Sequence, residues 1–114
     1  MIAVIFEVWP KNDYLNEYLN TPMELKATLE SIPGFISVER FQSLAEEGKL
    51  LSVSFFESEE AVHAWRNTLE HRKAQALGRN RYFADYRLRV AEVIRDYGKA
   101  ARDQAPTDSR ERHG

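Results

Sequence analysis

The 114-residue chain contains no cysteine. That excludes a disulfide framework, a thiolate nucleophile and any cysteine-ligated metal, and it suits a reducing compartment, so a cytoplasmic location is expected. No apolar run reaches the ~20 residues of a membrane-spanning helix, and no membrane role is expected. The apolar N-terminus MIAVIFEVWP lacks the basic flank and small-residue cleavage site of a signal peptide and is read as a first strand. Neither sign of charge dominates. With 16 Lys and Arg against 18 Asp and Glu the formal net charge is -2, which gives no reason to expect nucleic acid. Arg79, Arg81, Arg87, Arg89 and Arg95 do cluster, but Asp85, Glu92 and Asp96 are interleaved, as on a solvated or inter-subunit face. Glycine-rich phosphate loops, nucleophile elbows and zincin motifs are missing too, so nothing suggests nucleotide binding, phosphoryl transfer or hydrolysis.

What is present is a sequence of alternating periods. Ile2, Val4, Phe6 and Val8 line one face of a first strand; Ala3, Ile5 and Trp9 line the other beside Glu7. A strand apolar on both sides is covered on both sides. Pro10 to Asp13 breaks it, with Asp13 as a helix cap. Tyr14 to Ile32 reads as two helical pieces joined at Asn20-Thr21-Pro22 and stopped by Pro33-Gly34. Phe35–Ser43 and Lys49–Phe56 form a hairpin ending its loop at Gly48. Phe35, Ser37, Glu39 and Phe41 are expected on one face of its first strand, and Ile36, Val38, Arg40 and Gln42 on the other.

Ser58 caps the next helix, Glu59 and Glu60 complement its dipole, and Gly78 ends it. Val62, Trp65, Leu69 and Ala76 fall at helical spacing. The last strand, Tyr86 to Tyr97, switches apolar phase, and a β-bulge near Val90-Ala91 is predicted. Beyond Gly98, KAARDQAPTDSRERHG is polar and is expected to be frayed or disordered. The order β-α-β-β-α-β is the ferredoxin-like plan, an α+β fold, with residues 1–98 as the domain and 99–114 as a tail. One copy leaves a sheet face carrying aromatics, and a second copy is the simplest cover, so a homodimer is expected.

IPGFISVERFQS (Ile32–Ser43), KLLSVSFFES (Lys49–Ser58) and the run ESEEAVHAWRNTLEHRKAQALGRNRYFADYRLRVAEVIRDY (Glu57–Tyr97) together carry a resemblance. The chain resembles the antibiotic biosynthesis monooxygenase family over roughly Met1 to Gly98. The resemblance implies a dimeric α+β barrel, with a partner strand reaching into each barrel. Some members oxidise aromatic substrates or haem without a conventional cofactor, and no cofactor is expected here.

In the aromatic-oxidising branch a Trp on this helix holds the substrate and a polar ring about six positions later, typically Tyr, assists proton transfer. Trp65 matches, His71 stands at the Tyr position, and Ala61 stands where an Asn is expected one turn before the Trp. Histidine moves protons near neutral pH. Six positions apart, Trp65 and His71 do not share a helical stripe, so a break near Thr68-Leu69 is needed to aim both at one cavity. The haem-degrading branch uses an Asn on the first strand, the same Trp, and a late-helix axial His. Here Glu7 and Gln75 occupy those positions, so haem as substrate or ligand is the second enzyme reading.

His63, Asn67 and His71 share a face, but two histidines two turns apart are separated by about 12 Å of rise, and no metal site is expected. Glu7, on an otherwise apolar strand, is either a base in the barrel interior or the partner of an arginine such as Arg40 or Arg89, the second being the more ordinary outcome. Tyr82, Phe83, Tyr86, Trp9 and Phe6 supply surface for a flat ligand, or equally a core. The leading reading is a monooxygenase that stacks a hydroquinone or anthrone-like aromatic on Trp65 while His71, with Glu7, takes a proton. The reading from another class is a non-catalytic dimeric binding or stress-response protein.

Overall fold

A strand that is apolar on both faces belongs in the middle of a sheet, and β1 (Ile2–Pro10) lies there. In a computed structural model, which describes residues 1–11, 27–68 and 83–114, β1 is followed by β2 (Phe35–Gln42), β3 (Leu50–Phe56), α1 (Glu59–Arg66), β4 (Phe83–Glu92) and α2 (Thr107–His113). The sheet order is β2-β3-β1-β4. β1 pairs antiparallel with β3 and β4, and β2 pairs antiparallel with β3. Residues 27–30 are helical and lead into the Pro33-Gly34 turn. This is the ferredoxin-like α+β arrangement that the order of elements predicts.

The register sorts side chains onto two faces. On the inner face Ile2, Val4, Phe6 and Val8 stand opposite Phe56, Ser54, Ser52 and Leu50 of β3, and opposite Glu92, Val90, Leu88 and Tyr86 of β4. The core forms there. Ile2, Leu29, Phe56, Ala61 and Val62 are buried together, with Val4, Ile32, Phe35, Val38 and Trp65 packed against them. Val8 and Leu50 make a second cluster with Phe6 and Phe83. On the far face Ala3, Ile5 and Glu7 meet Phe55, Val53 and Leu51.

α1 starts where the sequence says it should. The Ser58 hydroxyl accepts from Ala61 N at 3.3 Å, and Glu59 and Glu60 occupy the first turn. Gly34 is held at φ 90, where a side chain is strained, and a Cβ there would lie 3.0 Å from Ala61 Cβ. Its carbonyl accepts from Glu57 N at 2.7 Å. This glycine therefore lets the β2 entry and the α1 entry touch.

Two expectations are corrected. Phe35 does not share a face with Ser37, Glu39 and Phe41. The register shifts between Phe35 and Ser37, so Phe35 turns inward to meet Phe56 edge-on at 5.8 Å; burial of the ring outweighs strict alternation. The last strand ends at Glu92, and its pairing is continuous from Asp85 to Glu92, with no bulge at Val90-Ala91. The irregularity lies instead between Trp9 and Pro10, where the missing proline N–H interrupts the ladder. Just beyond the strand, Val93 N donates to Met1 O at 2.9 Å.

The polar C-terminal stretch carries contacts of its own. Arg102 donates to Gly114 O at 2.7 Å, to Gly98 O at 3.0 Å and to the Ser109 hydroxyl. Its guanidinium also lies 5.5 Å from the Tyr97 ring centre. Asp96 N donates to Gln104 Oε1 at 2.8 Å, and Ala105 is buried. One guanidinium fork can close such a loop, and composition does not register it.

Phe56 is 0% exposed. Phe56→Ala is expected to lower the unfolding free energy by about 3–5 kcal/mol in urea denaturation. Leu44→Ala, at a fully exposed loop position, should change it by less than about 0.5 kcal/mol. Gly34→Ala should cost about 1–3 kcal/mol through its backbone conformation and the Ala61 contact; an unchanged midpoint would mean the turn relaxes freely.

Candidate functional site

The candidate site is the inner face. Trp65 lies near the C-terminal end of α1, half-buried against the Ile2, Phe56 and Val62 cluster. The helix tightens immediately after it. Thr68 N and Thr68 Oγ1 both donate to Trp65 O, at 3.1 and 2.8 Å, and the α-helix ends at Arg66. This is an i to i+3 closure of the last helical turn. His71, Gln75 and Tyr82 lie outside the described residues. Ala61 is buried where an Asn is expected, beside the Gly34 turn.

An aromatic cluster stands on the same face. Phe6, Phe83 and Tyr86 pair with centroid separations of 5.7, 5.8 and 6.1 Å and tilted rings. Beside it Tyr86, Leu88 and Val90 remain 42, 42 and 49% exposed, an apolar floor only partly covered. On β3 the positions between Leu50 and Phe56 that face inward are Ser52 and Ser54. Their small side chains interrupt the bulk of the face along its middle. The run KLLSVSFFES shows this in retrospect, as two serines at alternate positions of an apolar strand.

Glu7 and Trp9 are placed elsewhere. They sit on the far face, so the sheet separates them from Trp65. Glu7 pairs with Arg89 at 3.3 Å and with Lys49 at 3.8 Å. Lys49 also approaches Glu46 at 4.0 Å and lies 4.8 Å from the Trp9 ring centre, while Trp9 Nε1 donates to Glu46 Oε1 at 3.0 Å. Of the two arginines weighed as partners for Glu7, Arg89 is the one the register delivers. A carboxylate held by two cations on the far face cannot serve a substrate resting against Trp65.

Among the described residues no group of three His, Cys, Asp or Glu is arranged to hold a metal ion. An open depression of about 610 Å³ lies at the other end of the sheet, bordered by Met1, Ile2, Val90 and the carboxylates of Glu57, Glu59 and Glu92. It lacks aromatic walls and its rim is acidic, which makes it a poor host for an electron-rich ring.

The family pattern of antibiotic biosynthesis monooxygenases matches residues 1–77. The chain is 41% identical over 93 residues to the jasmonate monooxygenase ABM of Pyricularia oryzae, an alignment covering 82% of this chain and 43% of that protein. The chain therefore spans less than half the length of that relative. It is 34% identical over 94 residues to the uncharacterized protein YqjZ of Bacillus subtilis, covering 82% of this chain and 79% of that one. Among solved structures, Rv0793 from Mycobacterium tuberculosis superposes with a TM-score of 0.76 at 15% identity, over 85% of this chain and 98% of that chain. An antibiotic biosynthesis monooxygenase superposes with a TM-score of 0.71 at 15% identity, over 82% and 99% of the two chains. At such identity these two likenesses speak for the fold alone. The match over residues 1–77, together with relatives at 41 and 34% identity, carries the conclusion that the chain belongs to the antibiotic biosynthesis monooxygenase family.

Proposed function

We propose that the protein is a cofactor-independent monooxygenase acting on a small, flat, electron-rich aromatic such as a hydroquinone or anthrone. One observation carries the reading: Trp65 and the Phe6, Phe83 and Tyr86 cluster share a face whose apolar floor is only partly covered. Aromatic walls select a ring by stacking and exclude water from it. In this scheme Trp65 stacks the substrate. His71, by its place six positions on and past the break at Thr68, removes a proton from the activated carbon or hydroxyl. The resulting carbanion or phenolate reduces O₂. For a methylene substrate one oxygen atom becomes the new carbonyl, and the other leaves as water with the two hydrogens lost from the carbon, so no external reductant is needed. Glu7 takes no part, because it lies on the other side of the sheet.

The 41% identity to the fungal jasmonate monooxygenase favours a second substrate, jasmonate itself. The far face supports a homodimer: Ile5, Leu51, Val53 and Phe55 form an apolar strip around the Glu7 ion pairs, and Phe41 is 45% exposed at its edge. A second copy laid on this face would cover the strip.

Oxygen uptake measured with 1,4-naphthohydroquinone, anthrone and jasmonate tests the activity. His71→Ala should lower kcat by about 100- to 10,000-fold. Trp65→Ala should lower kcat/KM by about 10-fold or more. Uptake unchanged in both variants would overturn these roles, and no uptake on any of the three would favour the non-catalytic binding protein.

Sedimentation is expected to give twice the 13.3 kDa chain mass. A monomer at micromolar concentration would remove the dimer.

A further inference from the structure

We propose that the second copy stacks on the far face with its β2 over β4, so that Glu39 of each copy meets Arg89 and Arg87 of the other along both rims of the interface. This orientation rests on the homodimer proposed above and adds the residues that fix it. The strand register sorts the charges of the far face by edge. One row across the sheet runs Glu39, Val53, Ile5, Arg89, with an acid on β2, a cation on β4 and only apolar groups between them. The next runs Phe41, Leu51, Glu7, Arg87, and its outer cation is again on β4. Asp85 lies beyond the two arginines, at the end of that edge, and accepts from Tyr86 N at 2.8 Å. Glu39, Arg87 and Arg89 are all exposed in the single chain. No ion pair among the described residues engages Glu39 or Arg87. Arg89 holds Glu7 at 3.3 Å, and its fork has donors for a second carboxylate.

A two-fold interface sets one surface against itself, and two sheets stacked with aligned strands can do so in two ways. With the axis across the strands, each strand covers its own counterpart. The arginines of β4 then face the arginines of the other β4, and Glu39 lies near Glu39. Like charges brought face to face oppose association. With the axis along the strands, β2 covers β4 and β3 covers β1. Glu39 then stands over Arg89, one row from Arg87. Phe41 stands over Arg87, where a guanidinium can rest on the ring. The middle of the interface is apolar in this stacking. Val53 lies over Ile5, both half-buried in the single chain, and Leu51 covers a Glu7 already held by Arg89 and Lys49. The split of acid and base between the two edges therefore selects the second stacking.

Charges on edge strands also discourage edge-to-edge pairing of sheets, a role that needs no opposite charge on a second copy. Cross-linking separates the two explanations, because the chain has no cysteine of its own. Stacked sheets lie about 10 Å apart, and β2 and β4 of one copy are three strand spacings, about 14 Å, apart. In the proposed stacking, positions 39 and 89 of opposite copies are thus about 10 Å apart, and the two positions 39 about 17 Å. Full-length Glu39→Cys and Arg89→Cys chains are treated singly and mixed with a bis-maleimide matched to the shorter distance. Cross-linked dimer should form in the mixture and be lost when either chain is treated alone. In sedimentation, Glu39→Arg should raise the dimer dissociation constant about 10- to 100-fold. Mixing it with Arg89→Glu should bring the constant back to within about 10-fold of wild type, because both rims of the mixed dimer carry opposite charges. Cross-linking of Glu39→Cys alone, no cross-link in the mixture, or a Glu39→Arg constant equal to wild type would each overturn the orientation and leave the dimer standing. A wild-type monomer would overturn the dimer itself, and the orientation with it.

Discussion

The fold depends on one strand being apolar on both sides. β1 supplies the middle of the sheet, hydrogen-bonds to β3 along one edge and to β4 along the other, and holds the buried Val8 and Ile2. Because side chains alternate with a period of two, a slip of one residue would carry Glu7 into the core and expose Val8. The register is therefore fixed by opposite penalties on adjacent residues. Everything downstream inherits it. Glu7 can meet Arg89 and Lys49 only on the far face, and Phe6 can meet Phe83 and Tyr86 only on the inner one.

A second constraint ties the helix layer to this sheet. Gly34 lets the end of the first crossover touch Ala61, and Ser58 starts α1 within the same turn. Trp65 then arrives at a fixed place against the core, and Thr68 bends back onto its carbonyl directly afterwards. The position of the tryptophan follows from a cap, a glycine and a small residue, each of which is set by backbone geometry and not by any ligand.

Much of this was legible in the residues. Two-sided apolarity placed β1 centrally, Gly48 marked the hairpin, Ser58 with Glu59 and Glu60 marked the helix start, and Trp65 fell at helical spacing with Val62. The misses share one cause, the dependence of a local feature on a distant partner. Phe35 leaves its alternation because Phe56 offers it a better contact than solvent does. The apolar phase change in β4 suggested a bulge, but every residue from Asp85 to Glu92 keeps its partner on β1. Alternation also separates Glu7 from Phe6 without saying which of the two faces the helices will cover. That left Glu7 in contention as a base.

The two faces of the sheet carry different kinds of polarity. On the far face opposite charges lie within reach of one another, so the ion pairs are satisfied inside the chain and their surroundings are apolar. This combination suits association with a like surface, where satisfied pairs add register and little net energy. On the inner face the rings of Phe6, Phe83 and Tyr86 stand beside an apolar floor that is only partly covered. Such a surface favours a flat apolar ligand, held by stacking and by exclusion of water, over a second copy that brings charges with it.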